Sequence, residues 1–95
     1  MLDSSNLMMC ATHGEIKKMM YLLQNGANIN YSNSWGENSL IRAVEMKQFE
    51  TVKLLVENGI DINAKSVVGD TPLSIAKEKG LSEIANYLTE HGAIE

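Results

Sequence analysis

The side chains able to support acid–base, nucleophilic or metal chemistry are few and scattered along this chain of 95 residues. Neither His13 nor His91 has a neighbour at the spacing that a metal site or a catalytic pair requires. The single cysteine, Cys10, stands among small and apolar residues, whereas a reactive thiol needs an exposed, electropositive setting. We expect Cys10 to fill a core and His91 to cap a helix. These residues predict no enzyme, no metal and no cofactor.

The carboxylates are dispersed along the chain and do not change this expectation. The glycines do not form a phosphate-binding loop, because they recur at a fixed interval. The sequence at 23–30 returns in similar form at 56–63 and begins again at 89–93, so that Gly26, Gly59 and Gly92 stand at intervals of 33 residues. A fixed period of this length is typical of stacked repeat proteins. We therefore divide the chain into units of about 1–32, 33–65 and 66–95, which together form one domain over 1–95.

Each unit predicts two helices. Thr71 is a good N-cap residue, and Pro72 suits the first helical position, where its missing N–H is not needed. The first helices are expected over 5–13, 38–46 and 71–79, and the second over 15–25, 48–58 and 81–91. Gly14 and Gly80 provide left-handed breaks between the helices of a pair. Lys47 holds that place in the middle unit, where a side chain brings strain.

The connections between units, 27–37 and 60–70, are rich in Asn, Ser, Asp and Gly, which favour turns. Each contains one isoleucine, Ile29 or Ile62, between polar residues, a pattern that indicates a short strand. The connections therefore predict brief β-hairpins that project from the helices.

Gly69, Thr71-Pro72-Leu73, Ala76, Gly80 and the Asn-Gly-x-Asp-x-Asn sequence at 58–63 resemble the ankyrin repeat, over residues 4–94. The resemblance implies an all-α ankyrin-repeat solenoid of three helix-turn-helix units with short connecting β-hairpins. It also implies a concave groove, formed by hairpin tips and first helices, that binds other proteins. The family usually has histidine after Thr-Pro-Leu. Met8, Ile41 and Ser74 stand there, so we expect fewer hydrogen bonds and lower stability.

On this register the only tryptophan, Trp35, lies at a hairpin tip, and Val68 takes the same place one unit later. Tryptophan is strongly enriched at binding hot spots. The alternative is that Trp35 folds back near Met8 and Thr12 and shields a thin core. The candidate partner-binding residues are Thr12, His13, Ser34, Trp35, Glu37, Glu45, Met46, Val67, Val68, Asp70 and Glu78.

The charge distribution argues against nucleic acid and anionic membranes as partners. The net charge is −4, and the three units carry 0, −1 and −3, so no basic cluster exists. One cysteine permits no internal disulfide, and the N-terminus has no signal-like pattern. A reducing, cytoplasmic location is therefore expected.

Two functions from different classes remain open at this stage. The first is a monomeric, protein-binding adaptor or inhibitor, which includes an immunity protein that masks a toxin. The second is a building block that associates with itself through apolar end faces. The first unit holds Met8, Met9, Met19 and Met20. We expect two of them to fill the core and two to cover the exposed end, although a methionine-rich face can also bind partners.

Overall fold

The computed structural model describes residues 4–94, and that part of the chain contains six α-helices in three pairs. They are α1 (Ser4–His13), α2 (Ile16–Gln24), α3 (Ser39–Glu45), α4 (Phe49–Glu57), α5 (Pro72–Glu78) and α6 (Ser82–Glu90). The predicted ranges of α2 to α6 are correct when the capping residues are counted with each helix, and α1 begins at Ser4, one residue before its predicted start. Residues 1–3 and 95 of the predicted domain lie outside the described residues.

The helix pairs form an elongated stack with α3 between α1 and α5, and each first helix packs against its own second helix. The overall dimensions are 36 × 25 × 21 Å. Leu7, Leu40 and Leu73 occupy the same position in successive units, and all three are buried. Burying one such side chain stabilises the fold by about 1.5–3 kcal/mol. The core is therefore built by repetition, as the sequence period predicts.

Two of the first helices begin with a side-chain cap. The Asn38 side-chain oxygen accepts from the Ile41 N–H at 3.0 Å, and the Asn38 amide donates to the Asp61 carbonyl at 3.2 Å. Thr71 and Ser74 form a reciprocal capping box, with bonds of 2.8 and 3.1 Å. Ser74 thus supplies local hydrogen bonds at the position where a histidine is usual in ankyrin repeats.

The second helices all end with a side chain that returns to the carbonyl four residues earlier. Asn25 and Asn58 use their amide groups, with bonds of 2.8 Å to the preceding turn. In the third unit His91 takes the same place, and its Nδ1 lies 2.8 Å from the Tyr87 carbonyl. The expected capping role of His91 is confirmed.

The break between the two helices of a pair uses a left-handed residue in every unit. Gly14 has φ +68° and Gly80 has φ +69°. Lys47 adopts φ +59° at the same position, although its Cβ disfavours this region. The predicted left-handed break at Lys47 is confirmed.

The predicted β-hairpins are not formed within residues 4–94, because the connections consist of turns and a single isolated bridge between Ser32 and Asn38. The Asn33 N–H donates to the Glu37 carbonyl at 3.0 Å, which closes a tight turn. Asn38 then caps α3, so the chain enters the helix and the bridge between Ser32 and Asn38 is not extended into a pair of strands. Within the described residues, none of the helices is both long and apolar enough to cross a membrane.

Candidate functional site

The side chains best suited to nucleophilic or acid–base chemistry, such as Cys10 and His13, lie in different surroundings. Cys10 is buried, as expected for a core residue. Burial is the main cause that raises the pKa of the Cys10 thiol, the Glu15 carboxylate raises it further, and Lys18 opposes them. His13 is exposed at the end of α1. Across residues 4–94, no three His, Cys, Asp or Glu side chains are grouped to hold a metal ion.

Trp35 stands on a rigid turn organised by Asn33. The Asn33 side-chain oxygen accepts from the N–H groups of Trp35 and Glu37, both at 3.0 Å. The Gly36 N–H donates to the Asn33 carbonyl at 2.9 Å, and the Asn33 amide donates to the Glu37 carboxylate at 3.0 Å. The indole remains 64% exposed. Trp35 therefore does not fold back onto the core, and hydrogen bonds within the turn hold its backbone in place.

The next connection repeats this turn with Ser66 in the place of Asn33. The Ser66 N–H donates to the Asp70 carbonyl at 2.8 Å, and the Ser66 hydroxyl accepts from the Asp70 N–H at 3.2 Å. Val67 and Val68 at its tip are 66% and 77% exposed. The Val67 N–H donates to the Trp35 carbonyl at 2.9 Å. This bond joins the two tips and holds three large apolar side chains in one region.

An open cavity of about 240 Å³ lies between the two turns. We call its lining the turn-tip surface; it consists of Trp35, Glu37, Ile41, Ser66, Val67, Val68, Asp70 and Ile75. It unites five of the predicted site residues. Three further residues of the lining, Ile41, Ser66 and Ile75, were missed, although Ile41 shares the register of Met8 and Ser74, the position that departs from the usual histidine. The buried side chains of Ile41 and Ile75 give the surface an apolar floor.

The remaining predicted residues do not join this surface. Thr12 and His13 line a separate open cavity of about 500 Å³ beside α1 and Arg42. The Thr12 hydroxyl already donates to the Met8 carbonyl at 2.9 Å. Ser34, Met46 and Glu78 are exposed outside both cavities. The predicted residues thus line two separate cavities or lie outside both.

Glu45 forms an ion pair within α3. Its carboxylate lies 2.8 Å from the Arg42 guanidinium, and both side chains are about 30% exposed. The pair lowers the acidic character of this part of α3. The Arg42 head group is thus held by a neighbour three residues further along the helix.

Comparison with known families agrees with this architecture. The family model for ankyrin repeats (3 copies) matches residues 3–66. The chain therefore belongs to the ankyrin-repeat family. Proteins of this family are typically non-catalytic, and their repeats generally bind other proteins. No curated protein matches the sequence significantly.

Proposed function

We propose that this chain is a non-catalytic protein-binding module, an adaptor or an inhibitor, whose partner docks on the turn-tip surface. The observation that carries the proposal is the exposure of Trp35 on a turn that Asn33 and Val67 already hold in place. A preorganised aromatic anchor loses little conformational freedom on binding, so more of its burial contributes to affinity.

The partner chemistry follows from what surrounds the anchor. Val67 and Val68 extend the apolar area, and the half-buried carboxylates of Glu37 and Asp70 flank it. A partner segment that presents an apolar side chain beside lysine or arginine complements this arrangement. Thr12, His13, Ser34, Glu45, Met46 and Glu78 are proposed as rim contacts, which contribute specificity more than energy.

The sole tryptophan makes the proposal directly measurable. Partner candidates are first captured from the source cell, purified and titrated against the chain while Trp35 fluorescence is followed. Docking on the turn-tip surface removes water from the indole and shifts its emission to shorter wavelength. Trp35→Ala is expected to weaken binding by at least about 2 kcal/mol, which is roughly thirtyfold in Kd.

Tyr21→Ala is the matched control, because Tyr21 is an aromatic residue of similar exposure, 60%, on a different face. It should leave the affinity for the partner unchanged. An unshifted tryptophan emission on saturation, or equal losses for Trp35→Ala and Tyr21→Ala, would contradict docking at the turn tips.

We also propose a cytoplasmic location and neither nucleic acid nor membrane among the partners. A single buried cysteine that needs no oxidation suits a reducing compartment. The net charge of −4 opposes binding to polyanions. Imaging of the tagged chain in its source cell, and retention on heparin or DNA columns, would test these two statements.

A further inference from the structure

The two ends of the stack are chemically different. At the first end an open cavity of about 350 Å³ lies between α1 and α2, and its lining includes Met9, Cys10, Glu15, Lys18 and Tyr21. We call this the first-repeat end face. Met9 and Tyr21 are 62% and 60% exposed there, so the face presents two large apolar side chains to water.

The same positions are covered in the later repeats. The equivalents of Met9 are Arg42 and Ile75, and those of Tyr21 are Leu54 and Tyr87. All four are buried or half-buried. Side chains on this side of a repeat contact the preceding repeat, as two examples show. Gln48, the equivalent of Glu15, donates to the Thr12 carbonyl at 3.4 Å. The face is therefore built to the pattern of an inter-repeat interface.

Tyr87 provides a second example of this contact. Its ring meets Phe49 of the preceding repeat edge-on, with 5.8 Å between the centroids. Its hydroxyl lies 3.5 Å from the Lys53 carbonyl. Tyr21 has the same place on the first repeat but remains mostly exposed.

The opposite end is adapted to water. Where the second repeat has the buried or half-buried residues Ile41, Val44 and Val56, the third repeat has Ser74, Lys77 and Thr89. These three side chains are exposed and polar. A polar outer face is what a terminal repeat needs for solubility. The first-repeat end face has no such adaptation, and it does not match the polar end of another copy.

We propose that the first-repeat end face binds a second copy of this chain, so that two stacks meet through their first repeats in a two-fold symmetric dimer. Charge favours this occupant. Glu15 and Lys18 flank the apolar area, 3.4 Å apart on one chain. In a two-fold dimer, Glu15 of one protomer faces Lys18 of the partner subunit, and symmetry supplies the reverse pair. Because the other end is polar, the assembly closes at two chains.

Sedimentation velocity of the full chain, from low micromolar to millimolar concentration and without any partner, tests the proposal. A reversible monomer–dimer equilibrium is expected. Tyr21→Glu should raise the dimer dissociation constant at least about tenfold, because it places a charge in the apolar centre of the interface. Val68→Glu is the control on the turn-tip surface, and it should leave the dimer intact. Circular dichroism confirms that both variants remain folded.

Exchange of charge tests the pairing itself. Lys18→Glu and Glu15→Lys each create a face of like charge and should weaken the homodimer, whereas an equimolar mixture of the two variants should restore association. A wild-type chain that stays monomeric, assemblies larger than a dimer, a Tyr21→Glu variant that associates normally, or a mixture no stronger than its components would each overturn the proposal. Because no partner is present, these results are independent of docking at the turn tips.

Discussion

Gly36 lies so close to Val67 that a Cβ atom at position 36 would come 3.3 Å from the Val67 backbone nitrogen. The two turns therefore touch backbone to backbone. The hydrogen bond from the Val67 N–H to the Trp35 carbonyl depends on this approach. The spacing of the apolar side chains on the turn-tip surface is thus set by a glycine that carries no side chain of its own.

The first prediction concerns this contact. Gly36→Ala should destabilise the fold by about 1 kcal/mol more than Gly69→Ala, because the backbone of the next turn cannot yield as a flexible side chain can. Gly69 is the matched control, since it also has a positive φ, +89°, but no atom lies within 4 Å of its potential Cβ. Urea unfolding of both variants measures the difference, and equal losses would contradict the close approach.

The second prediction concerns the strained lysine. Lys47→Gly should raise the free energy of unfolding by about 1 kcal/mol, because glycine adopts the left-handed region without a Cβ clash. Lys47→Ala removes the charge but keeps the Cβ, so it should give no such gain. Thermal and urea unfolding of the two variants separate backbone strain from charge, and a similar gain in both would identify charge as the cause.

The third prediction compares two helix caps. Asn38→Ala should destabilise the fold by about 2 kcal/mol, because it removes the buried cap of α3 and leaves the Asp61 carbonyl without its hydrogen bond from the Asn38 amide. Thr71→Ala removes a half-buried cap and should cost about 1 kcal/mol. Asn38→Asp keeps the acceptor for Ile41 but loses the donor to Asp61, so its stability should lie between wild type and Asn38→Ala. Equilibrium unfolding in urea orders the variants.

The fourth prediction concerns alkaline pH. Burial is the main cause that raises the pKa of the Tyr87 hydroxyl, and Glu57 adds to it; burial likewise raises the pKa of Cys10. Both groups hold their protons more tightly in the fold than in the unfolded chain. Their contribution is therefore complete below the unfolded pKa values and is lost as the pH rises through the folded values.

Thermal unfolding across the alkaline range measures this loss. Tyr87→Phe keeps the aromatic contact with Phe49, and Cys10→Ala removes the thiol. The double variant should show a shallower decline of the melting temperature with rising pH than wild type. Tyr21→Phe is the control for an exposed tyrosine and should follow the wild-type curve. A double variant with the wild-type slope would exclude these two groups as the cause.

The sequence predicted the helices well because their limits depend on local chemistry. The glycines, Thr71 and the apolar positions are constrained by backbone geometry within a few residues. Even the exception, Lys47, could be located by its register. Strands at Ile29 and Ile62 were predicted wrongly, since their polar neighbours suited a strand but the tight turns offered no partner to pair with.

The candidate site was predicted in part. The repeat register placed Trp35 at the tip of a turn. Its exposure depends on the hydrogen bonds of Asn33, which the spacing of residues in the sequence does not indicate. Ile41 and Ile75 were missed because they reach the turn-tip surface only through the packing of α3 between α1 and α5. The pairing of Glu45 with Arg42 was missed because the two residues were considered separately, although three residues along a helix brings side chains together.

The polar end at Ser74, Lys77 and Thr89 has a consequence for anyone who wishes to lengthen this molecule. An engineered helix pair fused ahead of Ser4 could pack on the exposed hydrophobic side chains of Met9 and Tyr21. One fused beyond Ile94 would meet hydroxyl and ammonium groups that prefer water, and it would need those three positions rewritten first. Without those changes, the array can be extended only ahead of Ser4.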